Sequence, residues 1–250
     1  MKVENVLNWL NAIAPFDTAE SFDNVGLLLG NPGREVHRVL FALDITLPMV
    51  EEAKRLGADL LIAHHPFIFQ ALKRLDYESP QGKTFLAIAG SNLQVIAAHT
   101  NWDQAKGGVG DTLAKTLGLQ DVTPLDGYVR VGNLPEPLSR EAFEALVKEK
   151  LHVQPRLLGG DQPIQRVAVA GGSYGAGAPL AAEDGADAYV VGEIRHKEIL
   201  DALARGLRIC DAGHYATEYP GAVALYERYL ADGAEYGLTA PAHLFTVAPY

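Results

Sequence analysis

An α/β architecture built from two similar halves follows from three features of the sequence. Short runs rich in Val, Ile, Leu and Ala alternate with helix-like segments, the pattern of a mostly parallel sheet covered by helices. The run starting at Val39 is answered by one starting at Val167, and Gly57-Ala-Asp by Gly185-Ala-Asp, both 128 positions later. Two matches in one register point to an internal duplication. Residues of metal-ligand type also collect just after the apolar runs, where open α/β sheets gather their sites. The expected layout is two similar halves, mostly parallel sheets flanked by helices, with a metal site between them.

Each element has its own reason. At the N-terminus Val3, Val6, Leu7, Leu10 and Ala14 recur at helical spacing, which predicts an amphipathic helix and not a signal peptide. Expected strands are Val39 to Asp44, Leu60 to Ala63, Leu93 to Ala98, Arg166 to Ala170, Ala188 to Val191 and Leu207 to Asp211. Between the first two, Thr46 can cap a helix, Pro48 suits its first turn, Glu51 and Glu52 favour its positive end, and Gly57 can end it. Ser139 announces a second helix as N-cap, with Leu138 and Phe143 as a staple and Leu146, Val147 and Leu151 on one face. The Pro-, Gly- and Asp-rich stretch from Leu119 to Pro137 holds one short strand, Tyr128 to Val131, and a boundary is expected near Pro124. The halves would then be residues 1–124 and 125–235, with a terminal strand within 236–250 returning to the first half. Gln94 to His99 aligns with Arg208 to His214 once about 13 residues of connection are removed from the second copy.

Composition bounds the function. At 250 residues and 48% hydrophobic, the chain can bury one large core or two smaller ones. Lys plus Arg is 21 against 31 Asp plus Glu, a net charge of −10 that does not favour nucleic acid unless cations cluster locally. One cysteine, Cys210, allows no intrachain disulfide, and no stretch suits a membrane span. A cytoplasmic protein without a membrane partner is expected.

The candidate ligands sit at strand ends. Asp44 closes the first strand, His64 and His65 the second, and His99 and Asp103 follow the third; Glu193 and His196, then His214 and Glu218, follow strands of the second half. Adjacent side chains of a strand point to opposite faces, so His64 and His65 share a site only if the strand stops and turns, which Pro66 assists. Taken alone, the dipeptide also suits two ordinary histidines at a turn. Asp103 is the better ligand candidate of its loop, while His99 either coordinates directly or orients a neighbour. On a helix His214 and Glu218 would share a face, but Pro220 biases Tyr219 towards extended geometry, so a loop leading into a helix from Pro220 to Ala231 is expected. Asp111 reads as the cap of a helix after Gly107-Gly-Val-Gly, and His37, His152 and His243 read as surface or packing residues. Three His and two acids without thiolate suit an open, reactive centre more than a closed structural one.

Asp23-Asn-Val-Gly-Leu, Ile62-Ala-His-His-Pro-Phe, His99-Thr-Asn-Trp-Asp, Gly107-Gly-Val-Gly-Asp and Gly213-His-Tyr-Ala-Thr-Glu, in this order, resemble the NIF-three-like family of GTP cyclohydrolase I type 2 homologues, which includes the YbgI-type proteins. The resemblance covers almost the whole chain. It implies a dinuclear metal centre with His64, His65, Asp103, His214 and Glu218 as ligands, two divalent ions per subunit (Fe, Zn or Mn), and a toroidal homohexamer. The longer members' inserted domain is not expected at this length. The implied function is a metal-dependent hydrolase acting on a nucleotide or other small substrate through metal-activated water. His99 and Glu193 are the candidates for proton transfer or for orienting other groups, Asp23-Asn24 and Gly107 to Asp111 are candidate substrate-side loops, and Arg195, Lys197 and Lys106 could meet phosphates. A non-catalytic metal carrier or an assembly and interaction factor is the alternative.

Overall fold

The computed structural model describes residues 1–246, and its contacts divide the chain into two units. Among the described residues the first comprises Met1–Ala105 together with residues 222–246; the second is Lys106–Gly221. The second unit therefore starts before Pro124. The reason is packing: Leu113, Ala114, Leu117 and Leu119 share a core with Phe143, Val147, Val167 and Val190, so this stretch cannot be parted from the sheet that follows it. The last four residues of the expected terminal segment 236–250 lie outside the described residues.

In chain order the first unit contains α1 (Val3–Ile13), β1 (Gly26–Leu29), β2 (Val39–Ala42), α2 (Leu47–Leu56), β3 (Leu60–Ala63), α3 (Pro80–Ala89), β4 (Gln94–Ala97) and α4 (Thr100–Gln104). The second contains α5 (Val109–Thr116), β5 (Gln120–Pro124), β6 (Arg130–Leu138), α6 (Arg140–Leu151), β7 (Arg156–Leu158), β8 (Ile164–Val169), α7 (Ala178–Glu183), β9 (Ala188–Val191), α8 (His196–Ala204) and β10 (Arg208–Asp211). Helix α9 (His214–Tyr236) begins in the second unit, and its residues from Ala222 onward, with β11 (Ala242–Leu244), belong to the first.

The sheet of the first unit runs β1-β4-β3-β2-β11. All its pairs are parallel except β1 with β4. Strands β2, β3 and β4 are buried at every position, which is why they read as continuous apolar runs. Helix α2 has the ends its sequence predicts: Thr46 Oγ1 accepts from Met49 N, and Gly57 closes it at φ 66°. Trp9 of α1 is fully buried, edge-on to Tyr229 of α9 at 5.6 Å, and its Nε1 donates to Asp232 Oδ2 at 3.0 Å.

The sheet of the second unit runs β5-β6-β8-β9-β10-β7, parallel through β8, β9 and β10 and antiparallel elsewhere. Its β7-β10-β9-β8 portion repeats the β1-β4-β3-β2 order of the first sheet. The repeat holds at the level of register: Val39 faces Leu60 in one sheet and Val167 faces Ala188 in the other. It also holds at the level of side chains. Asp59 Oδ2 accepts from the backbone N of His37 and Arg38, and Asp187 Oδ2 accepts from the backbone N of Gln165 and Arg166, each pair 128 positions apart. Arg38 donates to Leu56 O while Arg166 Nε donates to Asp184 O, again the same positions.

Two local expectations are corrected. The short strand expected at Tyr128 to Val131 is the start of a longer one, β6, whose Pro135 and Pro137 sit where pairing with β8 is irregular between Asn133 and Leu138, so no ladder donor is lost from a regular stretch. Helix α9 begins at His214 and runs through Pro220. A proline in the second turn removes a single donor, and the turn before it is secured by Thr217, whose N and Oγ1 both donate to Gly213 O.

Candidate metal centre

Candidate ligands gather at strand ends in two clusters, one in each unit. In the first, β3 ends at Ala63, and His64 and His65 follow while the backbone still hydrogen-bonds to Ala42 and Leu43 of the neighbouring strand's end. His64 is buried and His65 half-buried. β4 leads directly to His99, and one turn of α4 carries Asp103. The rings of His64 and His65 lie 5.0 Å apart, His64 and His99 5.1 Å, and His65 and His99 5.5 Å. Asp103 Oδ1 stands 3.4 Å from His64 Nε2. His64, His65, His99 and Asp103 are thus brought together, and the three imidazoles could hold a metal ion.

Each imidazole of this cluster is fixed through Nδ1. His64 Nδ1 meets Ala98 O at 2.9 Å, His65 Nδ1 meets Asp44 Oδ1 at 2.7 Å, and His99 Nδ1 meets Asp23 Oδ1 at 2.9 Å. A carbonyl or carboxylate oxygen can only accept, so Nδ1 carries a proton and Nε2 is the nitrogen left for a metal ion. Metal-binding histidines are oriented in this way. Asp23 is fully buried at its side chain and also accepts from Thr100 N at 3.0 Å and Thr100 Oγ1 at 2.5 Å. Burial alone would raise its pKa, but the bonds from His99 and Thr100 outweigh it and hold the carboxyl well below the usual carboxylate range.

In the second unit, β10 ends at Asp211 and Gly213, at φ 81°, turns the chain into α9. His214 and Glu218 share one helix face, with His214 Nε2 3.0 Å from Glu218 Oε2. Glu218 is buried. Glu193, after β9, approaches His214 Nδ1 at 3.4 Å, the orienting position that Asp44 takes at His65. Glu193 occupies the duplicate of the His65 position, and Gly192 and Gly172 those of His64 and Asp44. The glycines are needed. A Cβ on Gly172, at φ 61°, would fall 2.0 Å from Glu218 Oε1, and one on Gly192 would fall 2.8 Å from His214 Cα. In the second unit the space that side chains at these positions would take is occupied by His214 and Glu218.

Two loops are held by their own side chains, and the helix cap expected at Asp111 falls on Gly108. Asp23-Asn24 is a brace: Asp23 holds His99 and Thr100, and Asn24 Nδ2 donates to Ile68 O at 2.5 Å. Asp111 lies inside the first turn of α5, accepting from Gly107 N at 2.7 Å and pairing with Arg130, while Gly108 is the N-cap. Asp23 and Asp44 are the site residues whose orienting role the sequence concealed. Asp23 stands 76 positions from the histidine it holds. No helix among the described residues is long and apolar enough to cross a membrane.

The fold and these clusters define a duplicated α/β protein with histidine and carboxylate groups suited to metal. The profile of the Duf34/NIF3 (NGG1p interacting factor 3) family matches residues 1–244, and the chain belongs to that family. It is 32% identical over 239 residues to a "GTP cyclohydrolase 1 type 2 homolog" of Clostridium perfringens, covering 91% of each chain. It is 38% identical over 223 residues to the protein of that name in Lactococcus lactis, covering 86% of each. The crystal structure of Staphylococcus aureus protein SA1388 superimposes with a TM-score of 0.94 at 28% identity, covering 100% of this chain and 98% of the other.

Proposed function

We propose that this protein is a metal-dependent hydrolase in which His64, His65, Asp103, His214 and Glu218 hold two divalent cations, Fe, Zn or Mn. One observation carries the reading. With Nδ1 of His64 donating to Ala98 O, its Nε2 lone pair faces the Asp103 carboxylate at 3.4 Å, two electron-pair donors directed at each other. His214 Nε2 stands 3.0 Å from Glu218 Oε2, a second imidazole and carboxylate placed side by side. With Nδ1 already donating, the His64–Asp103 pair is favourable only with a positive charge to share, a proton or a metal cation, and nitrogen and oxygen donors without thiolate suit the cations named.

A bound pair of cations would supply an acidified water and neutralise charge developing on the substrate. The chain's own residues do the rest. Asp44, the Ala98 carbonyl and Glu193 orient His65, His64 and His214, and Asp23 fixes His99, which together with Glu193 we assign to proton transfer or to orientation of the reacting groups. The substrate is a nucleotide or another small molecule, in keeping with the names of the curated relatives.

The test is hydrolysis of GTP and of other nucleotides by metal-loaded protein, beside the Glu218→Ala and His65→Ala variants. Both substitutions should remove metal and turnover together, whereas turnover surviving in metal-free protein contradicts the assignment. Metal bound without turnover on any nucleotide, phosphoester or cyclic amide would favour a carrier. We further propose a toroidal homohexamer in the cytoplasm, supported by the family resemblance and by a single free, buried thiol at Cys210. Sedimentation should find six chains, and a monomer at micromolar concentration contradicts that assembly.

A further inference from the structure

We propose that the cavity beside His65 is a binding site for a flat heterocycle that carries N–H donors, with Asp44 as the group that reads them. The inference rests on the hydrolase reading and supplies its substrate class. The cavity lies wholly in the first unit and has a volume of about 650 Å³. That is within the roughly 300–1,000 Å³ of ordinary small-molecule sites. His65 and Asp44 are among its lining residues, so whatever fills it lies beside a candidate metal ligand.

Its walls come from three segments. The loop and first turn of α2 supply Ile45, Leu47 and Pro48; the turn after β3 supplies Pro66 and Phe67; the start of α3 supplies Gln81 and Lys83. Leu47 is a large apolar side chain left 37% exposed here, and Phe67 is backed by the stacked ring of Phe85 at 6.2 Å and 22°. Prolines and a braced aromatic make stiff, flat, apolar surfaces, suited to a planar ring and poor for a flexible chain.

The polar groups set the donor pattern. Two carboxylates line the cavity, Asp44 and Glu78, against one cation, Lys83, and Lys83 already pairs with Glu78 at 3.3 Å. Asp44 gives one oxygen to His65, and a carboxylate retains lone pairs for further donors. A ring edge with adjacent N–H groups can meet that carboxylate, whereas an edge of acceptors would face it with repulsion. The six-membered ring of guanine has such an edge and that of hypoxanthine lacks its exocyclic amine, which makes the two a matched pair of probes.

The experiment is guanosine and inosine binding to the metal-loaded protein, followed by titration NMR or calorimetry. Guanosine should bind at least about tenfold more tightly than inosine, the discrimination expected when a charged acceptor loses its donor. A Leu47→Trp variant, with the indole filling the cavity from a partly exposed helix start, should lose guanosine binding while keeping its metal content and melting temperature. Equal binding of the two nucleosides, no binding at millimolar concentration, or full binding by Leu47→Trp overturns the proposal. Absent guanosine binding in a protein that holds its metal counts against the cavity alone; guanosine bound by a protein that takes up no metal counts against the hydrolase reading alone.

Discussion

His64, His65 and His99 each present Nδ1 to a hydrogen-bond acceptor, and in two of the three that acceptor is a carboxylate. The tautomer is thereby set before any ligand arrives. Asp44→Asn keeps the size of the side chain but can turn its amide N–H towards His65, and removing such an orienting carboxylate costs about 10–100-fold in metal affinity. A competitive chelator titration should find that loss with little change in melting temperature, whereas unchanged affinity would show that His65 needs no orientation. Cys210 gives the opposite kind of residue, one kept from chemistry. Burial, with smaller contributions from Glu144 and Asp211, pushes its thiol up to about 12. The native protein should resist thiol reagents at pH 8 and react fully once unfolded, while rapid native labelling would contradict this burial. Below the ordinary thiol value of 9.0 both states are neutral and the group leaves stability unchanged; above it the unfolded chain releases the proton first, so stability falls as pH rises.

The parallel strands were legible because β2, β3, β4 and β9 are buried on both faces and so carry uninterrupted apolar runs. The antiparallel edges were not. β5 is exposed throughout, β6 is buried at its start and exposed from its first proline, and β1 and β7 are short and only partly buried, so none of them gives a continuous buried run. Pro220 misplaced the start of α9, because a sequence does not reveal that Thr217 secures the turn before it. The duplication was legible as a register, and the two Asp clamps explain why that register endured: each carboxylate satisfies two backbone donors where a strand begins. Asp59→Ala and Asp187→Ala should destabilise similarly, each by about 1–3 kcal/mol in chemical denaturation. A cost confined to one copy would mean that the clamps are not equivalent. The glycines after β8 and β9 are where the copies diverge. Gly172→Ala would push against Glu218 and lower metal binding beyond its effect on stability, whereas Gly185→Ala, which meets nothing within 4 Å, should cost only the roughly 1 kcal/mol of its positive φ. Equal metal affinities in the two variants would remove the space-filling explanation.

At the scale of the whole molecule, a repeated βαβ frame has been loaded with different chemistry in its two copies. Both place a His and, four residues on, an acid at the start of a helix, His99 with Asp103 and His214 with Glu218; the first adds His64 and His65 after β3, where the second has Gly192 and Glu193. The ligand types could be read from the sequence because each lies within a few residues of a buried strand, but the braces could not, because Asp23 reaches His99 across 76 positions. What unites the two copies functionally is the claim that all five donors serve cations. The most direct test is metal analysis of protein purified without chelating resin and then reloaded to saturation. About two equivalents per chain are expected, falling sharply in both His65→Ala and Glu218→Ala while their folds persist by circular dichroism. Wild-type protein that takes up no more metal than those two variants would contradict the account.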